Sequence, residues 1–85
     1  MNNKLEIFKK KLIYRAGYRG TKEMDILLSS FVNKYIDTLD ENLLLELEKF
    51  LNFEDEIILN FYNNGIAQGE INKNKVSKIF KTFKL

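Results

Sequence analysis

Apolar side chains recur every three or four residues in five stretches of this chain, and polar side chains fill the positions between them. That spacing places the apolar residues on one face of an α-helix. No alternation of the kind that a strand needs lasts for more than a few residues. We therefore predict an all-α fold, a compact five-helix bundle that forms a single small domain over residues 1–85. The predicted helices cover about residues 4–17, 21–37, 41–51, 55–63 and 75–83.

Polar residues and glycines mark the ends of these helices. Either Gly20 or Thr21 can cap the start of the second helix, and either Thr38 or Asp40 can cap the third. Thr38 also has a glutamate three residues later, which is the spacing of a capping box. Gly65 can adopt the left-handed conformation that ends many helices, so we expect the fourth helix to stop there and a loop to follow.

The composition excludes several classes of function. The 85 residues include no histidine and no cysteine, which removes imidazole bases, thiolate nucleophiles, disulfides and the common zinc sites. A domain of this size also has little room for an enclosed active site. We therefore expect no enzymatic activity, no catalytic residue and no metal site.

The hydropathy pattern bears on where the chain resides. Its longest apolar runs are three residues, far short of a membrane span, so we expect no membrane insertion. Residues 1–4 lead almost at once into the first predicted helix and contain no apolar signal core. We expect a cytoplasmic bacterial protein that is a monomer when free.

Charge is distributed unevenly, although the net charge is only +2. Residues 1–22 carry seven Lys or Arg against one acid, and residues 72–85 carry five Lys and no acid, whereas residues 23–71 carry eleven acids and two Lys. Lysines at 75, 78 and 81 could form a row that faces phosphates, so a small helical nucleic-acid-binding or regulatory module is an alternative function. Because the chain has only two arginines and an acidic middle, we expect no nucleic-acid partner.

The stretch from Tyr14 to Asp25 separates the first two helices and holds the most distinctive chemistry. Arg19 offers a planar fork of donors to a carboxylate or phosphate. Gly20 lets another surface approach its backbone, and Glu23 lies near the positive end of the second helix. An ordinary linker with a cap and a solvated arginine would show the same residues. Tyr14 could equally be an exposed contact residue or pack against the second helix.

Three consecutive acids, residues 54–56, precede the fourth helix. Consecutive helical residues do not share a face, so these side chains are poorly placed to bind one metal ion together. A helix start, where the macrodipole favours negative charge, is the better explanation.

Taken in order, these segments resemble the succinate dehydrogenase assembly factors of the SdhE type, also called flavinators. The resemblance covers about residues 5–83, and its most specific part is the Arg-Gly-x-x-Glu core followed by a leucine-rich helix. Gly17 and Tyr18 stand where members often carry further basic residues, and Phe61 stands where a tryptophan is frequent. The segments that carry it are Leu12-Ile13-Tyr14, Arg19-Gly20-Thr21-Lys22-Glu23-Met24-Asp25, Ile26-Leu27-Leu28, Phe31, residues 37–41 and residues 54–56.

The resemblance implies a function. In flavinators the Arg-Gly-x-x-Glu patch docks on the flavoprotein subunit of succinate dehydrogenase or fumarate reductase and promotes covalent attachment of FAD to a histidine of that subunit. The chemistry belongs to the flavin and its host, and the small protein orients them. The resemblance leaves open whether such a protein contacts FAD directly, so we assign no cofactor and no cofactor-binding residue to this chain. The partner-binding residues expected here are Arg15, Tyr18, Arg19, Gly20, Glu23 and Asp25.

Overall fold

Five α-helices form where the apolar spacing predicts them. The computed structural model describes residues 3–85, so Met1 and Asn2, which the sequence places ahead of the first helix, lie outside the described residues. Each helix begins and ends within two residues of its predicted bounds, which confirms the all-α prediction. The helices are α1 (Asn3–Ala16), α2 (Lys22–Tyr35), α3 (Glu41–Leu51), α4 (Asp55–Asn64) and α5 (Lys75–Thr82).

Side-chain caps decide where α2 and α3 begin. Of the two candidates for α2, Thr21 is the cap, because its hydroxyl accepts a hydrogen bond from the backbone three residues later. Asp40 caps α3 by accepting from the Leu43 N–H at 2.8 Å. The hydroxyl of Thr38 instead donates to the Tyr35 carbonyl at 2.8 Å, so the capping box is not formed.

The segment between α4 and α5 is better ordered than a simple loop. Gly65 ends α4 in the left-handed conformation, at φ 68°, and its N–H donates to the Phe61 carbonyl, as predicted. A short 3₁₀ helix, Ile71–Lys73, then interrupts the predicted loop. Asn74 caps α5, and its side-chain amide donates to the Glu46 carbonyl of α3 at 2.8 Å. These bonds fasten the segment to the bundle.

The core lies between α3 and the helices packed around it. α1 packs on α2 and α3, while α5 packs on α3 and α4. Phe31 of α2 stands at the centre, with its ring centroid 5.0 Å from that of Phe80 and 5.3 Å from that of Phe83. The buried apolar residues are Leu12, Ala16, Met24, Leu27, Leu28, Phe31, Val32, Ile36, Leu39, Leu44, Leu47, Phe50, Leu51, Ile58, Phe61, Ile71, Val76, Phe80 and Phe83.

This packing leaves the ends of α1 and α3 beside each other. The connection between α1 and α2, residues 17–21, lies against the connection between α3 and α4, residues 52–54. In the described part of the chain, no helix is long and apolar enough to cross a lipid bilayer.

Candidate functional site

The connection between α1 and α2 is held tightly against α2. Gly17 follows α1 directly, and a Cβ at this position would lie 3.3 Å from the Ser29 hydroxyl. Two residues on, the Arg19 N–H donates to the Asp25 carboxylate near the start of α2. The connection thus approaches α2 at two places, Ser29 and Asp25. Glycine at 17 permits the close approach.

Arg19 is occupied within the molecule. Its Nε donates to Asp55 Oδ1 at 2.8 Å, forming an ion pair between residues that are 36 positions apart. Nη1 donates to the Leu51 carbonyl at 2.9 Å and Nη2 donates to the Phe53 carbonyl at 3.0 Å. The Arg19 side chain is only 10% exposed. All three guanidinium nitrogens therefore have acceptors in and around the α3–α4 connection.

The same aspartate fixes the next residue as well. Asp55 Oδ2 accepts the Gly20 N–H at 2.9 Å, while Oδ1 holds Arg19. A Cβ on Gly20 would lie 3.2 Å from Asp55 Oδ2, which is closer than ordinary contact. Glycine at this position thus lets a carboxylate approach the backbone from within the protein.

Sequence reasoning missed this role of Asp55. It assigned all three acids of residues 54–56 to the helix dipole, and the structure shows Glu54 and Glu56 exposed but Asp55 partly buried in the ion pair. In the described residues, no group of three acids is arranged to bind a metal ion. The available signal was the juxtaposition of an arginine and an acid at two neighbouring helix junctions, which local spacing does not reveal.

The second arginine makes a parallel contact. Arg15, in the last turn of α1, donates through Nη2 to the side-chain oxygen of Asn52. Both arginines of the chain therefore reach the same α3–α4 connection, and Asp25 holds the backbone of Arg19 from the other side. Three of the residues expected to bind a partner, Arg15, Arg19 and Asp25, are hydrogen-bonded inside the protein.

Tyr14 and Tyr18 form an exposed aromatic pair. Their ring centroids lie 4.4 Å apart and the ring planes differ by 21°, so the rings are stacked. Tyr14 is 62% exposed and Tyr18 is 71% exposed. The interaction of its hydroxyl with that of Tyr18 raises the pKa of Tyr14 above its ordinary value. Tyr14 is thus exposed and its ring covers that of Tyr18, while its contact with a partner stays a prediction.

Gly20 and Glu23 follow Tyr18 in the same helix junction. Both residues are exposed, and within residues 3–85 the Glu23 carboxylate has no hydrogen bond or ion pair. Glu23 lies in the first turn of α2, the end of a helix at which the macrodipole stabilises a negative charge. We call this exposed face, made of Tyr14, Tyr18, Gly20 and Glu23, the junction surface. It offers stacked aromatic rings, an approachable backbone and an unpaired negative charge.

The lysine row of α5 lies on another part of the molecule. Lys75, Lys78 and Lys81 are exposed, on a helix that packs on α3 and α4. Lys81 points its Nζ over the Phe61 ring, 5.6 Å from the centroid, so one of the three charges is turned toward its own helix bundle. Both arginines, on which a phosphate-binding surface would draw, are hydrogen-bonded at the α3–α4 connection.

Comparison with known proteins assigns the chain to a family. A family model described as flavinator of succinate dehydrogenase matches residues 10–84. Succinate dehydrogenase assembly factor 2-A, mitochondrial, of Drosophila willistoni is 45% identical over 40 residues, which are 47% of this chain and 26% of that protein. Succinate dehydrogenase assembly factor 2, mitochondrial, of Meyerozyma guilliermondii is 38% identical over 50 residues, which are 59% of this chain and 37% of that protein.

A bacterial relative is also similar. The FAD assembly factor SdhE of Acetobacter pasteurianus is 38% identical over 47 residues, which are 55% of this chain and 43% of that protein. The chain thus spans less than half the length of these three relatives. The family model, by contrast, matches nearly the whole chain and includes every residue of the junction surface. The resemblance seen in the motif is confirmed, and the chain belongs to the family of flavinators of succinate dehydrogenase.

Proposed function

We propose that this chain is an assembly factor that binds the flavoprotein subunit of succinate dehydrogenase or fumarate reductase and promotes covalent attachment of FAD to that subunit. The match of the flavinator family model to residues 10–84 carries this proposal. The names of the relatives, which describe succinate dehydrogenase assembly and FAD assembly, support it.

The proposed mechanism is binding and orientation. The chain has no histidine and no cysteine, and its candidate site is an open face instead of an enclosed cavity. The flavin and its host supply the bond-forming chemistry, and this protein holds the host in a competent arrangement. We therefore propose that it is not an enzyme and carries no cofactor of its own.

The junction surface is the proposed contact with the flavoprotein. The unpaired Glu23 carboxylate can accept hydrogen bonds from an arginine or lysine of the partner. Gly20 lets the partner backbone approach, and the exposed rings of Tyr14 and Tyr18 add apolar area that still has hydroxyl groups at its edge. Apart from Tyr18, Gly20 and Glu23, the residues expected to bind the partner act by holding this surface in place.

We further infer that the protein acts in the bacterial cytoplasm and is a monomer when free. The similarity to the FAD assembly factor of Acetobacter pasteurianus supports a bacterial setting. Size-exclusion chromatography with light scattering tests the monomer, and an elution mass of twice the chain's 10.1 kDa would contradict it.

Flavin fluorescence in a denaturing gel tests the function directly. A candidate flavoprotein subunit is incubated with FAD, with and without this chain, and covalent flavin is read from the fluorescence of the denatured band. We expect faster incorporation when the chain is present. If incorporation proceeds at the same rate without the chain, the proposed function is wrong for that subunit.

Two variants test the contact surface. Glu23→Ala removes the unpaired carboxylate, and Gly20→Arg fills the bare backbone position, so both should slow flavin incorporation. Glu41→Ala is the matched control, since Glu41 is also an exposed acid in the first turn of a helix but belongs to α3. Should Glu23→Ala support incorporation at the wild-type rate, that residue does not contact the partner.

A further inference from the structure

The α3–α4 connection contacts the connection between α1 and α2 although it lies outside the motif. It receives the side chains of both arginines, through Asn52 for Arg15 and through two carbonyls and Asp55 for Arg19. The proposed function assigns the holding of the junction surface to residues of the first two helices and gives no role to the connection that receives their side chains. The contacts therefore call for a role of their own.

Asp55 links the two connections most directly. One carboxylate oxygen holds the Arg19 side chain and the other holds the Gly20 N–H. Asp25 accepts the Arg19 N–H from the side of α2. Two carboxylates thus fix consecutive backbone N–H groups immediately before the first turn of α2. The orientation of the Gly20 backbone follows from these bonds, because neither N–H can turn without losing an ionised acceptor.

The burial of Arg19 argues against a direct contact between its side chain and a partner. The Arg19 side chain is 10% exposed and the Asp55 side chain 26% exposed. Every guanidinium nitrogen already donates to an internal acceptor, which uses three of the five N–H donors of a side chain that is nearly buried. Breaking one member of such a partly buried pair leaves an uncompensated charge. Arg19 is thus better suited to fixing its neighbours than to contacting another protein.

We infer that Asp55, through Arg19 and Gly20, is a positioning residue that holds the junction surface in the arrangement the flavoprotein recognises. This inference rests on the proposed function. It makes the start of α4 a second half of the site, joined to the first half by one ion pair and one backbone hydrogen bond. Loss of Asp55 should weaken partner binding without removing any group that touches the partner.

The test compares Asp55→Asn with two matched variants. Asp55→Asn keeps the shape of the side chain but places an amide N–H₂ against either the Arg19 guanidinium or the Gly20 N–H, both of which are donors. Ile58→Val removes one buried methyl group from the same helix and controls for a general loss of stability. Asp37→Asn removes the acid of another ion pair, with Lys9 at 3.5 Å, and controls for loss of charge. Each protein is titrated with a purified apo-flavoprotein subunit of succinate dehydrogenase.

We expect Asp55→Asn to raise the Kd at least tenfold at a temperature where circular dichroism shows it folded, with both controls near wild type. The amide hydrogens of Arg19 and Gly20 should also exchange faster in this variant, by tenfold or more, while core amides stay protected. Asp55→Glu keeps the charge with a longer side chain, so its Kd should lie between those of wild type and Asp55→Asn.

The possible failures can be told apart. If Asp55→Asn binds like wild type while Glu23→Ala binds weakly, the positioning role is wrong and the proposed function stands. If Ile58→Val loses as much affinity as Asp55→Asn, only general stability is at issue and the positioning role is again wrong. If the wild-type chain itself does not bind, the proposed function fails and this inference fails with it. Should Asp55→Asn not fold, amide exchange and binding of Asp55→Glu decide in the same way.

Discussion

Replacing Gly20 by alanine tests whether the close approach of Asp55 is what requires glycine. The backbone of Gly20 does not have a positive φ, so alanine can adopt it. The added methyl carbon would lie 3.2 Å from Asp55 Oδ2 and must push that oxygen away by a few tenths of an ångström. The oxygen cannot move freely, because the same carboxylate is bound to Arg19 at 2.8 Å.

The size of the effect follows from the bonds at stake. A hydrogen bond to a charged group contributes about 1.5–3 kcal/mol, so loosening the Gly20–Asp55 bond should cost about 1–2 kcal/mol. Alanine also lowers the conformational entropy of the unfolded chain relative to glycine, which stabilises the folded protein by about 0.5 kcal/mol. We expect Gly20→Ala to lower the free energy of unfolding by about 0.5–1.5 kcal/mol. In an Asp55→Ala background the crowding is gone, and the same change should be neutral or slightly stabilising.

Urea denaturation followed by circular dichroism measures the free energy of unfolding of four proteins: wild type, Gly20→Ala, Asp55→Ala and the double variant. The two substitutions should show a coupling of about 1–2 kcal/mol, which is typical of residues in direct contact. Gly65→Ala serves as the control, because Gly65 has φ 68° and nothing within 4 Å of its missing Cβ. Its cost of about 1 kcal/mol, a backbone effect, should be the same with or without Asp55. An equal cost for Gly20→Ala in both backgrounds would refute the argument.

Three further predictions concern the core, a cap and the aromatic pair. Phe80→Ala should lower the free energy of unfolding by about 3–5 kcal/mol in urea denaturation, since Phe80 is fully buried; a loss below about 1 kcal/mol would contradict this. Asp40→Ala should cost about 1 kcal/mol and Thr38→Ala less, because only Asp40 caps α3, and equal costs in thermal denaturation would argue otherwise. Tyr18→Phe should return the pKa of Tyr14 toward its ordinary value, as measured by NMR titration of the ring carbons, and an unchanged pKa would exclude the Tyr18 hydroxyl as its cause.

Apolar spacing was enough to predict the helices, because each helix buries one continuous stripe. The predicted bounds of α3 are the observed ones, because the capping residue Asp40 and the leucine-rich stripe that follows it indicate the same helix start. The choice between Thr38 and Asp40 as its cap did not follow, because both satisfy a local rule and only the position of the first helical turn separates them. The short 3₁₀ helix before α5 was missed for a related reason. Asn74, which follows this helix, is hydrogen-bonded to α3, and no local pattern records that contact.

The candidate site was placed by its motif, and its internal bonding was not predicted. Glu23 and Tyr18 are exposed at the junction that the motif indicates, and their contact with a partner stays a prediction. The internal pairing of Arg19 with Asp55 joins residues 36 positions apart. Which of three consecutive acids turns toward the arginine depends on how two helix junctions pack, so the sequence alone could not assign it.

The internal use of both arginines leaves lysine to supply the cationic charge facing water. An ammonium group is compact and strongly hydrated, and it lacks the flat, paired donors with which guanidinium grips an oxyanion. The positive regions of this protein are therefore suited to accelerating encounter, an effect that dissolved salt weakens. Under the proposed function, selectivity among flavoproteins then depends on short-range fit, which ionic strength scarcely alters.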